Sequence, residues 1–197
     1  MREINLFFKR LFDIFSCSVA VIILLPLFLG VVIAIRIESK GAVIFKQKRL
    51  GKGGKEFEIY KFRTMIPNAE FIGEGLRVSS ENDPRITKVG RFLRATSLDE
   101  LPQLFNVILG TMSVVGPRPP VVYHPYKGYQ NYPEWGKKRF TMRPGITGLA
   151  QVTVRNSVSW DERIRIDNTY VENFSFLGDL KIIFHTFDRV LGKKNVY

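Results

Sequence analysis

Two adjacent carboxylates, Asp99 and Glu100, are the side chains of this chain whose type and position best suit catalysis. They stand in residues 97–102, which read Ser-Leu-Asp-Glu-Leu-Pro. Helix capping is the structural alternative, because Ser97 and Glu100 match the S-x-x-E capping box and Pro102 would fall in the first turn. The residues around the dyad favour chemistry instead.

Three arginines could bring phosphate groups to this dyad. Arg94 lies just upstream, Arg118 stands between prolines, and Arg143 precedes a Pro-Gly pair. A guanidinium in constrained surroundings suits bidentate phosphate binding. A carboxylate beside phosphate needs a counter-charge, and Mg²⁺ commonly binds one or two carboxylates together with substrate oxygens. We therefore predict Mg²⁺ as the cofactor, with Asp99 as a ligand and Glu100 as a second candidate ligand.

The chain offers few other nucleophiles or metal ligands. Its two histidines, His124 and His185, and its single cysteine, Cys17, do not make a zinc or iron site. No Ser-His-Asp arrangement can be read from the sequence. A carboxylate can form an acyl phosphate, as in aspartyl-phosphate ATPases. Asp99 is thus the predicted nucleophile.

Length and charge restrict the partners. The 197 residues suffice for one compact domain, and 30 Lys and Arg against 18 Asp and Glu leave a net charge of +12. Nucleic acid, a lipid surface and phosphorylated substrates all match such a charge. An apolar segment near the N-terminus favours the last two, so we expect no nucleic-acid partner. A single cysteine allows no internal disulfide and fits a reducing, cytoplasm-facing domain.

The apolar segment covers residues 14–35 and contains no charged side chain. As a helix it would extend roughly 33 Å, enough to cross a hydrocarbon core. Pro26 interrupts it, and cations on both sides draw both ends to the cytoplasm. A re-entrant helix broken at Leu25-Pro26 satisfies both observations, while a kinked spanning helix stays open. We predict an anchor over residues 1–38 and a catalytic domain over residues 39–197.

The remaining patterns indicate an α+β protein, mostly helical with one small β-hairpin. Predicted strands cover residues 42–48 and 57–62, around a Gly-rich turn. Predicted helices cover residues 86–94, 98–108, 159–173 and 180–191. Predicted loops cover residues 67–85, 117–120 and 143–148. The last helix carries an apolar stripe that could lie on a membrane surface or pack in the core.

Four motifs in this order resemble the small monotopic phosphoglycosyl transferases, also called bacterial sugar transferases. They are residues 61–65 (KFRTM), Arg94 with residues 97–104 (SLDELPQL), residues 116–119 (GPRP) and residues 143–151 (RPGITGLAQ). The resemblance implies a re-entrant membrane helix, interfacial amphipathic helices, Mg²⁺, and an active site on the cytoplasmic face of the bacterial inner membrane.

The resemblance also implies a two-step reaction. The carboxylate at the Asp99 position attacks the β-phosphate of a UDP-sugar, releases UMP and holds the phosphosugar covalently until a polyprenyl phosphate such as undecaprenyl phosphate takes it. Glu100 completes the dyad and assists the metal or the proton transfer. The resemblance further implies that residues at other positions matching the family bind phosphate or substrate. These residues are Lys61, Arg63, Arg94, Arg118, Arg143, Thr147, Gln151 and Asp167.

The chain departs from many relatives at Leu25, where they have a serine that could bond a freed carbonyl. It begins with the anchor, as the minimal members do, so no accessory domain is expected. Two rival functions remain: a non-enzymatic basic module at the membrane, and a glycosyl transferase that would release UDP instead of UMP. The sugar, the glycan pathway and the oligomeric state, monomer or homodimer, stay open.

Overall fold

The computed structural model describes residues 2–69, 72, 83–154 and 157–191. Within these residues the protein is α+β, mostly helical, with two small two-stranded sheets. The helices are α1 (Arg2–Ile23), α2 (Leu25–Glu38), α3 (Lys88–Ala95), α4 (Gln103–Ile108), α5 (Glu134–Lys137), α6 (Leu149–Thr153), α7 (Trp160–Glu172) and α8 (Phe176–Leu191). The strands are β1 (Ile44–Leu50), β2 (Glu56–Phe62), β3 (Ser113–Val115) and β4 (Gly145–Thr147).

The N-terminal helices α1 and α2 form a pair bent by 62°. Pro26 stands in the first turn of α2, where a missing N–H costs no helical hydrogen bond. The bend therefore lies at the predicted break. Among the described residues, no single helix combines the length and the apolar character needed to cross a membrane, and only this bent pair together meets both requirements.

Helix α1 has an apolar outer face and a polar inner face. The outer face carries these exposed side chains: Ile4, Phe7, Phe8, Leu11 and Phe15. On the inner face, Lys9 Nζ donates to Asp179 Oδ2 at 2.5 Å. Asp13 accepts from the Ser113 hydroxyl at 2.6 Å and from Val114 N at 3.1 Å. Buried polar contacts thus attach α1 to the rest of the chain and leave its apolar face outward.

The predicted hairpin is confirmed, since β1 and β2 pair antiparallel. Helix α4 joins the outer edge of β2 through Asn106, which is 1% exposed. Its Oδ1 accepts from Tyr60 N at 2.9 Å, and its Nδ2 donates to Glu58 O at 2.7 Å. Asn106 therefore satisfies backbone groups as a neighbouring strand would, and it holds α4 against the hairpin.

The end of α2 is joined to the segments that follow. The Glu38 carboxylate accepts from Lys88 N at 2.6 Å and from Val89 N at 2.9 Å, the first free N–H groups of α3. A carboxylate at a helix N-terminus also complements the helix dipole. The start of α3 is therefore held directly against the end of α2.

The prediction of one continuous helix over residues 98–108 is wrong. Leu98–Glu100 form a 3₁₀ turn, and α4 begins only at Gln103. Pro102 has no N–H to donate to Leu98 O, so an α-helix running through it would lose that bond. Ser97 adopts a left-handed conformation with φ 57° and its side chain makes no capping bond. The alternative interpretation of residues 97–100 as a capping box does not hold.

The prediction of a loop over residues 143–148 is also wrong in part, because Gly145–Thr147 pair in parallel with β3. Two glycines make this pairing possible, since a Cβ on Gly145 would lie 2.1 Å from Gly116 N. The glycines that favoured a loop are needed for close packing of backbones.

The predicted helices near residues 86–94, 159–173 and 180–191 are confirmed as α3, α7 and α8. Within the predicted loop at 67–85, residues 70, 71 and 73–82 lie outside the described residues. Helix α8 buries Asp179 and Ile182 on one face and exposes apolar side chains on another. The exposed set is Leu177, Leu180, Phe184 and Phe187. Core packing therefore holds for one face of α8, and contact of the other face with a membrane surface stays a prediction.

Candidate active site

The 3₁₀ turn between α3 and α4 places the two carboxylates beside a lysine from β2. Lys61 Nζ lies 2.6 Å from Glu100 Oε1 and 3.7 Å from Asp99 Oδ2. Arg118 Nη2 approaches Glu100 Oε1 from the other side at 3.5 Å. The structure thus brings together four predicted site residues from three separate parts of the chain.

Asp99 is a buried carboxylate whose negative charge has little compensation from positive partners. It is 9% exposed, and the one ion pair found for it in the described part of the chain is the long contact to Lys61. Burial raises the pKa of Asp99, the Lys61 charge opposes that rise, and the Glu100 charge adds to it. Its carboxylate oxygens therefore have capacity for a further positive partner.

Glu100 differs from its neighbour. Burial acts to raise its pKa, but the charges of Lys61 and Arg118 prevail and lower the pKa to about 2. A carboxylate with so low a pKa stays ionised and is a weak base at neutral pH. Glu100 is therefore better suited to holding the two cations in place than to accepting a proton.

Arg94 lies at the end of α3, and its charge lowers the pKa of Asp99. Its Nε donates to the Thr64 hydroxyl at 3.0 Å. Helix α3 approaches this segment closely, because a Cβ on Gly90 would lie 2.0 Å from Thr64 O. This close backbone packing positions Arg94 near the dyad.

Asp167 does not contact the dyad but is linked through Arg139 to the loop that carries Arg118. Its Oδ2 lies 2.7 Å from Arg139 Nη2, and both side chains are almost completely buried. The same nitrogen donates to Arg118 O at 2.6 Å. Burial raises the pKa of Asp167 to about 6, against the opposing charges of Arg139 and Arg163. Asp167 thus acts on the Arg118 loop through Arg139.

Sequence reasoning missed Arg49 and Arg139 as parts of this arrangement. Arg49 Nη1 donates to Pro119 O at 3.0 Å, and burial together with the Arg118 charge lowers the Arg49 pKa to about 10. Strand alternation could have found Arg49, because the hairpin register places it on the same face as Lys61. Arg139 has no such local signal, since only the folded chain places it under Arg118.

Two predicted phosphate-binding arginines make their contacts elsewhere. Arg63 donates to Ser39 O at 2.8 Å and to Lys40 O at 3.0 Å, which joins β2 to the end of α2. Arg143 Nε donates to Gly110 O at 2.8 Å. A substrate-binding role for either residue stays a prediction.

Thr147 and Gln151 also make structural contacts. The Thr147 hydroxyl pairs with the Thr186 hydroxyl at 2.8 Å, which joins β4 to α8. Gln151 Nε2 donates to Ile146 O at 2.9 Å. Their predicted role in binding substrate is likewise untested.

Comparison with known proteins shows the family of this chain. Residues 4–193 match the model of a family described as bacterial sugar transferase, and the chain belongs to that family. It is 42% identical over 204 residues to the UDP-glucose:undecaprenyl-phosphate glucose-1-phosphate transferase of Klebsiella pneumoniae, covering 100% of this chain and 43% of that protein. It is 40% identical over 208 residues to the UDP-galactose-lipid carrier transferase of Erwinia amylovora, covering 97% and 42%.

A shorter relative matches almost from end to end. The chain is 39% identical over 210 residues to the exopolysaccharide production protein ExoY of Rhizobium meliloti, covering 100% of this chain and 91% of that protein. By contrast, the chain spans less than half the length of the Klebsiella and Erwinia proteins.

Proposed function

We propose that this protein transfers a sugar 1-phosphate from a UDP-sugar to polyprenyl phosphate, releasing UMP and forming polyprenyl-diphosphate-sugar. The observation that carries the proposal is the buried Asp99, whose pKa is lowered by the charges of Lys61 and Arg94, next to Glu100, which holds Arg118. The names of the Klebsiella and Erwinia relatives, which specify a UDP-sugar and a lipid carrier, support the substrate classes. Such a reaction would begin the assembly of a glycan on its lipid carrier.

In the first step, an Asp99 carboxylate oxygen attacks the β-phosphorus of the UDP-sugar. A new P–O bond forms, the bond from that phosphorus to the bridging oxygen breaks, and UMP leaves with the electron pair. Asp99 then carries the phosphosugar as an acyl phosphate. Lys61 and Arg118 stabilise the charge that spreads over the phosphoryl oxygens.

In the second step, a phosphate oxygen of the polyprenyl phosphate attacks the same phosphorus. The bond to Asp99 breaks, the carboxylate is regenerated and a diphosphate forms. A phosphate monoester is mostly dianionic at pH 7, so the attacking oxygen needs no general base. Glu100, ionised throughout, keeps Lys61 and Arg118 in position.

The residues at the dyad fit Mg²⁺. Asp99 has a long ion pair and spare acceptor capacity, and Glu100 stands beside it. Among the described residues no group of three or more His, Cys, Asp or Glu could hold a metal ion. Mg²⁺ needs only one or two protein carboxylates when substrate phosphates complete its shell. When bound, the ion would neutralise phosphate charge and orient the diphosphate.

The same proposal places the protein in the bacterial inner membrane, with its catalytic part on the cytoplasmic side. The bent pair α1–α2 would enter one leaflet and return, because it exposes apolar side chains over much of its length. The exposed apolar face of α8 would lie in the interface. A lipid-borne acceptor could then reach the dyad without leaving the membrane.

The deciding experiment measures UMP release by the full chain in detergent with Mg²⁺, undecaprenyl phosphate and a panel of UDP-sugars. We expect UMP, not UDP, with one donor, and none from Asp99→Asn. Asp161→Asn is a matched control, because Asp161 is exposed on α7 and bonds to the Tyr126 hydroxyl. Without acceptor, the intact mass should rise by one phosphosugar in the wild-type protein only.

Other outcomes would replace the proposal. UDP in place of UMP would identify a glycosyl transferase. UMP release that survives in Asp99→Asn would remove the nucleophilic role of that carboxylate. Failure of every donor, with lipid binding intact, would favour a non-enzymatic membrane module.

A further inference from the structure

A charged cavity separate from the dyad lies between the first half of α1, the hairpin turn and residues 141–143. Its volume is about 580 Å³. Neither carboxylate of the dyad lines it, nor does Lys61 or Arg118. Five cationic side chains and two acidic ones, Glu3 and Asp13, contribute to its wall, so the cavity is net positive. The cations are Arg2, Lys9, Arg10, Lys52 and Arg143.

The charges on the floor of the cavity are already paired. Lys9 is held by Asp179, and Asp13 by Ser113 and Val114. These contacts are buried and attach α1 to the rest of the protein. The floor therefore contributes little free charge, and the excess positive charge comes from the arginines and the lysine above it.

Two guanidinium groups of the wall flank Gly110. Arg10 Nη2 would lie 3.3 Å from a Cβ on Gly110, and Arg143 Nε donates to Gly110 O at 2.8 Å. Within the described part of the chain neither arginine has a salt bridge. Arg10 donates from Nη1 to Val107 O at 2.7 Å and from Nη2 to Ile108 O at 3.1 Å, whereas no acceptor is found there for the Arg143 Nη groups. A guanidinium with unused donors, such as that of Arg143, is suited to bidentate binding of phosphate. An anion here would also relieve the repulsion between the two arginines.

The rim of the cavity meets the apolar outer face of α1. Phe7 lines the cavity and is 65% exposed, in line with Ile4 and Leu11 on that face. Arg2 and Lys52 are exposed at the same rim. A soluble phosphate would contact the cationic side chains and leave the apolar face of α1 uncovered. A lipid would use both, with its headgroup in the cavity and its acyl chains along α1.

We propose that this cavity binds the headgroup phosphate of an anionic membrane phospholipid such as phosphatidylglycerol. The acceptor of the transfer reaction is a less suitable occupant, because its phosphate must reach Asp99, which does not line the cavity. Binding here would fix the orientation of α1 at the membrane surface. The inference concerns a binding site separate from the dyad, and its test does not depend on catalysis.

The test is native mass spectrometry of the full chain in detergent, titrated with phosphatidylglycerol or with phosphatidylcholine of the same acyl chains. We expect one phosphatidylglycerol per chain and at least tenfold weaker binding of phosphatidylcholine. Arg2→Gln/Lys52→Gln changes two exposed rim side chains and should weaken phosphatidylglycerol binding about tenfold or more. Arg143→Gln should weaken it in the same direction.

The matched control is Lys48→Gln/Lys55→Gln. It removes the same total charge, from two exposed hairpin positions that do not line the cavity, and should keep the wild-type affinity within about twofold. If the control loses as much affinity for phosphatidylglycerol as the rim variant, the effect is one of overall charge, and the proposed site is refuted. Equal binding of phosphatidylcholine, or unchanged binding by the rim variant, would also overturn it. If undecaprenyl phosphate or millimolar inorganic phosphate displaces bound phosphatidylglycerol stoichiometrically, that ligand, and not a phospholipid, is the occupant of the cavity.

Discussion

The buried pair of Arg139 and Asp167 allows a quantitative test of how the Arg118 loop is held. Arg139→Met keeps most of the side-chain volume and removes the charge. It leaves the Asp167 carboxylate buried without its partner at 2.7 Å. Removing one member of a buried pair typically costs about 3–5 kcal/mol. Asp167 can avoid the unpaired charge by taking up a proton, which sets a ceiling on that cost.

The ceiling depends on pH in a definite direction. Wild-type Asp167 already has a folded pKa of about 6, so protonating it in the folded protein costs about 2 kcal/mol at pH 7.5 and almost nothing at pH 5. Loss of Arg139 raises the folded pKa of Asp167 further above about 6. The destabilisation by Arg139→Met should therefore be larger at pH 7.5 than at pH 5.

The assay is the melting midpoint of the full chain in detergent at both pH values. For a chain of this size, the ceiling of about 2 kcal/mol corresponds to a fall of about 4–8 °C at pH 7.5. Lys138→Met is the matched control: it removes the neighbouring cation, whose partner Glu172 is half exposed, and should cost at most about 1 kcal/mol. Equal midpoints for the two variants, or a loss that grows at acidic pH, would refute the reasoning.

A double variant separates stability from positioning. Arg139→Met/Asp167→Asn leaves no buried charge and should regain most of the lost stability. It does not restore the donor to Arg118 O, which Arg139 supplies at 2.6 Å. UMP release should therefore remain low while the midpoint recovers. Recovery of both together would show that Arg139 contributes only stability.

Two further variants test the site and the packing around it. Lys61→Met removes a charge that lowers the pKa of Asp99, so the pKa of Asp99 should rise. The acid limb of the pH profile of kcat/KM should then move to higher pH. An unmoved limb would mean that ionisation of Asp99 does not control the rate. Gly90→Ala should lower the free energy of unfolding by about 3 kcal/mol or more in denaturant titration, because its Cβ would lie 2.0 Å from Thr64 O. Gly30→Ala, in the interior of α2 with nothing within 4 Å of its Cβ, should cause no loss and should raise the free energy of unfolding by up to about 1 kcal/mol. Similar losses in the two variants would contradict the close approach of Gly90 to Thr64.

Local patterns in the sequence were sufficient to predict several elements of the structure. The strands of the hairpin follow from runs of β-branched and aromatic residues around a Gly-rich turn. The bend near Pro26 follows from the missing donor of the proline. The dyad was also recognisable, because Asp99 and Glu100 are adjacent in a motif. Each of these signals lies within a few residues of the feature that it predicts.

Contacts between distant parts of the chain were decided only by the tertiary structure. The sequence by itself determined which residues are charged, which segments are apolar and where a helix must break. It did not determine that Lys61 would meet Glu100 while Arg63 would bind the end of α2, although both belong to one motif. Nor did it place Arg139 between Asp167 and Arg118 O. Strand alternation alone sends Lys61 and Arg63 to the same face, and what each side chain meets there depends on packing between elements far apart in sequence.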